Sequence, residues 1–150
     1  MLTAEKMNAI ENGDILPVVF INCRDYDYCT SIQYGFKKYE TCTRNTLHCL
    51  VGKTCLFCET GHGLPKTRFY ARIDSVTRID SKEEFERYRT ACDIMNGEKY
   101  DWKPETKHKY LYHLSEITVE DEYRITFSNE QRHGRTWAEY WVNYPNPEND

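Results

Sequence analysis

Lys38, Glu40 and Arg44 are charged residues separated by even numbers of positions in a segment rich in strand-forming residues. Because the segment has no helical stripe, we predict that it is extended. Alternate side chains of a strand share a face, which would bring these charges together with Cys42. Two cations can hold a phosphate or carbonyl oxygen, while the carboxylate accepts a hydrogen bond from a base amine or acts as a general base. The alternative is an ordinary solvated strand face.

The net charge of −4 is unevenly distributed along the chain. Between Tyr28 and Arg72, seven basic residues stand against two acidic ones, which gives +5 there and leaves −9 for the remainder. A basic region within an acidic protein favours local contact with phosphate over non-specific coating of duplex DNA.

The seven cysteines form no recognisable catalytic or metal-binding motif. Cys55 and Cys58 suggest a zinc site, together with thiols and imidazoles near them in the sequence. These neighbours are Cys42, His48, Cys49 and His62. A spacing of three on a strand, however, sends Cys55 and Cys58 to opposite faces. No glycine-framed cysteine nucleophile or phosphate-binding loop occurs either, so we expect no metal, no cofactor and small buried thiols.

Upstream of the charged row, the sequence predicts a helix, a strand and a second helix. The first helix covers residues 3–13, with Thr3 as its N-cap and Gly13 at its end. The apolar, β-branched run at 15–22 predicts a central strand, and a short helix is predicted at 25–34.

Downstream, a brief turn capped by Asn45 ends at Leu50 and is followed mainly by strands. The predicted strands are 53–60, 68–79, 109–117 and 122–127. One helix is inserted among them; it begins at a capping box, Ser81 with Glu84, and closes at Asn96 and Gly97. Its apolar stripe is Phe85, Tyr88, Cys92 and Met95.

Five or six strands with two or three helices predict an α+β fold, with a small curved sheet or barrel decorated by the helices. At 150 residues the chain has the size of a single domain, 1–150. We find neither an export signal nor an apolar run that could cross a membrane. With an odd number of cysteines as well, we expect a cytoplasmic protein with reduced thiols.

The segment GFKKYETCTRNTLHCLVGK, residues 35–53, resembles the core motif of the ASCH domain, a PUA-like fold. The matching positions are Gly35, Lys37 or Lys38, Glu40 and Gly52. The order that follows is similar too: a strand ending in ARIDSV, then a helix, then a late KYLYHL strand. The family-like core therefore covers residues 15–127. Where the family often has an arginine two places after the glutamate, this chain has Cys42, with Arg44 as a substitute on the same face.

The resemblance implies a PUA-like barrel with a cleft beside the strand from Lys37 to Arg44, suited to RNA, a nucleotide or a modified base. Some small bacterial members are amidohydrolases on acetylated cytidine, and use a lysine, a threonine and a distant glutamate. Glu40 occupies the threonine position here, although Lys37 with Glu59 or Asp74 could support hydrolysis. Aromatic rings near such a cleft can stack on bases. The candidates are Tyr39, Tyr70, Trp102 and Trp137.

Three functions remain open from the sequence. The first is a binding module for RNA or a nucleotide-like small molecule. In this hypothesis Lys37, Lys38 and Arg44 contact anions, and Glu40 accepts a hydrogen bond from a base edge that carries donors. The candidate ligand contacts are Lys37, Lys38, Glu40, Arg44, Asn45, Lys53 and Arg68. The second is a hydrolase of a modified nucleoside, or a ribonuclease, with Glu40 as base and Lys38 stabilising negative charge. The third is a protein-interaction or phage counter-defence factor on the same scaffold.

Overall fold

The computed structural model describes residues 3–119 and 136–141 of the chain. Within these ranges the protein has six strands, three α-helices and one short 3-10 helix, which confirms the predicted α+β class. The strand predicted at 122–127 lies outside the described residues. The last of the described strands is Trp137–Trp141.

The three α-helices lie where the caps and apolar patterns predict helices. They are α1 (Ala4–Glu11), α2 (Tyr28–Gln33) and α3 (Lys82–Cys92). Thr3 caps α1 by accepting a hydrogen bond from the Lys6 amide at 3.2 Å, and Ser81 caps α3 by accepting from the Glu84 amide at 3.1 Å. Among the described helices, none is long and apolar enough to cross a membrane.

The six strands form one sheet in the order β2-β5-β4-β3-β1-β6. They are β1 (Ile15–Asn22), β2 (Tyr39–Cys42), β3 (Thr54–Thr60), β4 (Lys66–Ile79), β5 (Lys109–Val119) and β6 (Trp137–Trp141). β1 and β3 run parallel, and the other neighbours run antiparallel. The described strands leave the sheet open, with β2 and β6 at its edges.

The sheet is strongly curved. In a flat sheet β2 and β1 would lie about 19 Å apart, because neighbouring strands are spaced by about 4.8 Å. Residues of both strands nevertheless line one cavity. The ladder between β4 and β5 shifts register between Tyr70 and Arg72, and again between Ile73 and Ser75. Such bulges bend the strands that carry them and account for the approach of β1 to β2.

Apolar side chains pack on both faces of the sheet. The larger cluster includes Cys55 and Phe57, whose ring stacks on Phe69 at 4.9 Å between centroids, and it also takes in the apolar side of α2. Cys58 belongs to a smaller cluster on the other face, around β1 and β3. Cys55 and Cys58 therefore point to opposite faces of β3, as their spacing predicts.

Three local predictions differ from the structure. The extended segment predicted from Lys38 to Arg44 is shorter, because β2 covers only Tyr39–Cys42. α3 ends at Cys92 and not at Asn96, because Asp93 adopts a left-handed conformation (φ 54°) and closes the helix, so that Met95 lies beyond it with 73% of its surface exposed. The 3-10 helix His48–Leu50 has no side-chain cap. The Asn45 side chain is engaged elsewhere, since its Oδ1 accepts a hydrogen bond from the Tyr112 hydroxyl at 2.8 Å.

Candidate ligand-binding site

A cavity of about 240 Å³ lies in the gap between β1 and β2. One wall is formed by residues 19–22 of β1, and the facing wall by residues 40–42 of β2. Further lining comes from Tyr28 in the first turn of α2, Lys37 in the loop before β2 and Tyr100 in the loop after α3. Thr60 and Thr136 also line the cavity. The cavity therefore exists because the curved sheet brings distant strands together.

Glu40 supplies a carboxylate to the wall of this cavity. Its Oε1 accepts a hydrogen bond from the Thr41 amide at 3.0 Å. Its Oε2 is buried and has no hydrogen-bond partner among the described residues, although the residue as a whole is half-buried. Burial raises the pKa of the Glu40 carboxyl, and the Lys37 ammonium and the Thr41 amide offset only part of this effect. A buried carboxylate oxygen without a partner is costly, and a donor on a ligand would satisfy it.

Lys37 places a buried cation at the same cavity. Only 3% of the residue is exposed, and its Nζ donates a hydrogen bond to the Cys92 carbonyl at 2.7 Å. The ammonium also lies 4.9 Å from the centroid of the Tyr28 ring. An ammonium has three donors, so Lys37 keeps donor capacity beyond the Cys92 carbonyl.

Tyr28 and Tyr100 give the cavity aromatic surface. Their ring centroids are 5.7 Å apart in an edge-on arrangement. The Tyr28 hydroxyl donates a hydrogen bond to Glu98 Oε1 at 2.5 Å, which fixes the ring. Burial, followed by the charge of Glu40, raises the pKa of Tyr100, so this phenol stays neutral at physiological pH.

Cys42 is the thiol nearest to this constellation in the sequence. Burial and the neighbouring Glu40 raise its pKa to about 12. A thiol that remains protonated is a poor nucleophile, which argues against cysteine chemistry at the cavity.

A basic groove continues from the cavity through shared lining at Tyr100. It consists of two adjoining concavities of about 360 and 350 Å³ on either side of Lys109. Its basic side chains are Arg44, Lys99, Lys103, Lys107, His108 and Lys109. Arg44, Lys99 and Lys107 are exposed. Two acidic residues, Asp101 and Glu105, also line the groove. Asp101 is paired with Arg89 at 2.6 Å, so its charge is locally balanced, whereas Glu105 is exposed.

The structure brings part of the predicted row together. Lys37 and Glu40 line the cavity, and Arg44 lines the adjoining basic groove. Lys38 is exposed, and its main chain is tied to α3 and β5 through bonds to the Ala91 carbonyl (2.7 Å) and the Leu114 amide (3.0 Å).

Three other candidates lie apart from the cavity lining. Asn45 is bonded to Tyr112, and Lys53 is half-buried in the turn before β3. The Arg68 guanidinium is paired with Asp27 at 3.1 Å and Glu59 at 3.3 Å.

The two distant acids considered for hydrolysis are engaged in ion pairs on β3 and β4. Glu59 pairs with Arg68 at 3.3 Å. Asp74 pairs with Arg72 and with His113, both at 3.1 Å. Neither acid lines the cavity among the described residues.

The four rings suggested for stacking have other packing partners. Tyr39 packs edge-on against Tyr88 at 5.5 Å, and Trp102 lies 6.0 Å from Phe85. Trp137 packs on the larger cluster and Tyr70 on the smaller one. The rings at the cavity are instead Tyr28 and Tyr100, which the sequence analysis overlooked. Tyr28 follows the capping Asp27 of α2, which was the one local signal that could have directed attention to it.

Comparison with solved structures identifies the fold. The structure of ASCH from Zymomonas mobilis matches with a TM-score of 0.60 at 14% sequence identity, covering 88% of this chain and 82% of that one. Two point-mutant structures of the Zymomonas mobilis protein match with TM-scores of 0.61, at 15% and 13% sequence identity. Each match covers 85% of this chain, together with 87% of the first mutant's chain and 89% of the second's. No protein-family model and no curated protein matches the sequence. The chain thus has the ASCH-like fold that the Gly35–Lys53 motif implied.

Proposed function

We propose that this ASCH-fold protein binds RNA or a nucleotide-like small molecule, with a base in the cavity between β1 and β2 and phosphate along the basic groove. The cavity of about 240 Å³ is smaller than sites for drug-sized ligands, which are about 300–1,000 Å³. It therefore suits one base or modified base, while the groove accommodates the sugar and phosphate.

The observation that carries this proposal is the buried Oε2 of Glu40, for which residues 3–119 and 136–141 supply no hydrogen-bond partner. A carboxylate accepts hydrogen bonds only, so its complement is a ligand edge that carries N–H donors, such as an exocyclic base amine. The last torsion of a glutamate is broad, so a small rotation turns an oxygen towards a bound ligand. The ammonium of Lys37 is a hydrogen-bond donor at the same cavity. It can donate to a ring nitrogen or carbonyl oxygen that lies next to the donor group of the ligand.

The aromatic rings and the groove supply the remaining affinity. Stacking of a base on an aromatic ring contributes about 1–3 kcal/mol, and Tyr28 and Tyr100 offer such surface. Arg44, Lys99 and Lys107 are exposed cations that line the groove. On binding they would displace counterions from a phosphate backbone. Lys38, exposed just before β2, remains a candidate for a further phosphate contact.

The test is a thermal-shift panel of nucleotides, modified nucleosides and short RNAs, followed by fluorescence-anisotropy titration of the best binder. Selective binding raises the melting temperature with occupancy. Glu40→Gln should weaken binding by about ten- to a hundred-fold, because a hydrogen bond to a charged group contributes about 1.5–3 kcal/mol.

For an RNA ligand, Arg44→Ala should reduce the slope of log K against log salt by about 0.7, the value for one phosphate contact on a single strand. Arg87→Ala on the exposed surface of α3 is the matched control and should leave the slope unchanged. Binding that does not respond to salt, or a panel without any stabilising compound, would exclude the proposed function.

Catalysis in the same cavity is the second candidate, and the raised pKa of Glu40 favours it. General acids and bases work best when burial moves their pKa towards the working pH. Glu40 would then transfer a proton, and the ammonium of Lys37 or Lys38 would stabilise developing negative charge. Chromatography of modified nucleosides and RNA after incubation should show turnover that Glu40→Gln abolishes without loss of folding. Substrates left intact over hours would exclude this candidate.

A further inference from the structure

Two thiols and a carboxylate form a compact cluster where β1 meets α2. Cys23 directly follows β1, Asp27 precedes α2, and Cys29 lies in the first turn of that helix. One ligand atom from each of these residues lies within 4.8 Å of the others. The cysteines whose sequence spacing suggests zinc, Cys55 and Cys58 with Cys42 and Cys49, all lie outside this cluster.

The spacing of the two sulfur atoms matches a tetrahedral metal site. The Sγ atoms of Cys23 and Cys29 are 3.7 Å apart. Two thiolates at about 2.3 Å from a zinc ion in tetrahedral geometry are separated by about 3.8 Å. The Cys23 thiol donates a hydrogen bond to the Cys29 sulfur across this distance, and a bound ion would replace that bond.

Asp27 is already oriented as a third ligand would be. Its carboxylate accepts hydrogen bonds from the Thr30 amide at 3.0 Å, from the Thr30 hydroxyl at 2.7 Å and from the Arg68 guanidinium at 3.1 Å. Partners of this kind fix ligating carboxylates in metal sites. Arg68 also makes two longer contacts to Asp27 Oδ2, at 3.3 and 3.4 Å, so the lone pairs of the carboxylate are all in use and a bound ion would take the place of these two contacts. The Asp27 side chain is 50% exposed, which leaves an entry path.

The charge of the cluster is partly balanced by a neighbouring cation. Two thiolates and one carboxylate carry three negative charges, and a divalent ion leaves one of them uncompensated. The guanidinium of Arg68 lies beside the same carboxylate and is shared with Glu59, so it supplies part of the remaining positive charge. This pairing gives Arg68 a role at the cluster.

Cys23 is held in place by the loop between β3 and β4. Its amide donates to the Thr60 carbonyl at 2.8 Å, and its carbonyl is 2.9 Å from His62 Nε2. Gly61 makes this approach possible, because it has a φ of +103° and a Cβ there would lie 2.8 Å from the Arg24 amide nitrogen. The site thus rests on two strands as well as on α2, and such support preorganises ligands.

We propose that Cys23, Cys29 and Asp27 bind one zinc-like divalent ion, with the fourth position left to solvent. The ion ties the start of α2 to the end of β1. Because Tyr28 lies between two of the ligands, the metal also fixes one wall of the cavity. The metal site does not depend on the proposed ligand.

The test is titration of the reduced, metal-free full chain with Co²⁺. Bound Co²⁺ reports thiolate ligation by an ultraviolet charge-transfer band, and it reports tetrahedral geometry by its visible d–d bands. We expect one equivalent to bind and Zn²⁺ to displace it. Cys23→Ser should abolish the charge-transfer band or halve its intensity, and Asp27→Asn should weaken binding by more than about ten-fold. Cys49→Ser, a half-buried thiol outside the cluster, is the matched control and should bind as the wild type does.

Circular dichroism of each variant separates loss of the site from loss of the fold. A reduced wild-type protein without a charge-transfer band would overturn the proposal. So would a Cys49→Ser protein that loses the band as Cys23→Ser does, or an Asp27→Asn protein that binds Co²⁺ with wild-type affinity.

Discussion

Replacing Glu40 by glutamine should stabilise the ligand-free protein at neutral and alkaline pH. The buried Oε2 of Glu40 has no hydrogen-bond partner in the part of the chain that the structure describes, and a buried polar group left unpaired costs about 1–3 kcal/mol, or more when it is charged. Glutamine keeps a carbonyl that can accept from the Thr41 amide and removes the charge, so that the cost of a buried charge is replaced by the smaller cost of a buried neutral NH2 group. We therefore expect the free energy of unfolding to rise by about 1–3 kcal/mol at pH 8, or roughly 2–12 °C in Tm for a domain of this size.

The effect should depend on pH in a defined direction. Burial raises the pKa of Glu40 in the folded state above its ordinary value of 4.5, so the unfolded chain loses this proton first as the pH rises. Below 4.5 the carboxyl is neutral in both states and costs nothing; above the folded-state pKa the full cost is present. The stability difference between Glu40→Gln and wild type should thus be small at acidic pH. It should grow as the pH rises from 4.5 to the higher pKa that Glu40 has in the folded state.

Urea unfolding of the two proteins across this pH range measures the difference. Glu105→Gln, at an exposed loop position, is the matched control and should follow the wild type at every pH. A Glu40→Gln protein that is less stable than wild type at pH 8, or a difference that stays constant with pH, would refute the reasoning.

Two further substitutions test contacts that support β2 and α3. Tyr112→Phe should lower the free energy of unfolding by about 1–3 kcal/mol, because the hydroxyl donates to Asn45 at 2.8 Å and accepts from the buried Leu47 amide at 3.2 Å. Tyr110→Phe on the same strand should cost less in the same urea titration, and equal losses would argue against a specific role of the Tyr112 hydroxyl. Ser81→Ala should cost about 1 kcal/mol by removing the cap of α3. An unchanged urea midpoint would show that the cap contributes nothing.

Local patterns were sufficient for most of the elements. The polar cap and apolar run predicted α1 and β1, and the capping serine at position 81 predicted the start of α3. The odd spacing of Cys55 and Cys58 correctly placed them on opposite faces of β3. These features depend on residues a few positions apart, which is the range that sequence patterns report.

The cavity depends on contacts that such patterns do not contain. β2 has only four residues, Tyr39–Cys42, so the predicted alternation does not extend to Lys38 or Arg44. Lys37 reaches the cavity because its ammonium is drawn to the Cys92 carbonyl, 55 residues away. Tyr100 lies in an irregular loop and is held through its carbonyl by Lys109 at 2.7 Å. Because these bonds join distant segments, no local signal marks the residues they place.

The most direct test of the account is a ¹³C NMR titration of the Glu40 carboxyl with and without the ligand selected by the thermal-shift panel, with the signal assigned by its absence in Glu40→Gln. In the free protein we expect a pKa above the ordinary value of 4.5. Saturation with ligand should lower it, because donors on the ligand stabilise the ionised carboxylate. A pKa that is the same in the free and saturated protein would contradict recognition through Glu40.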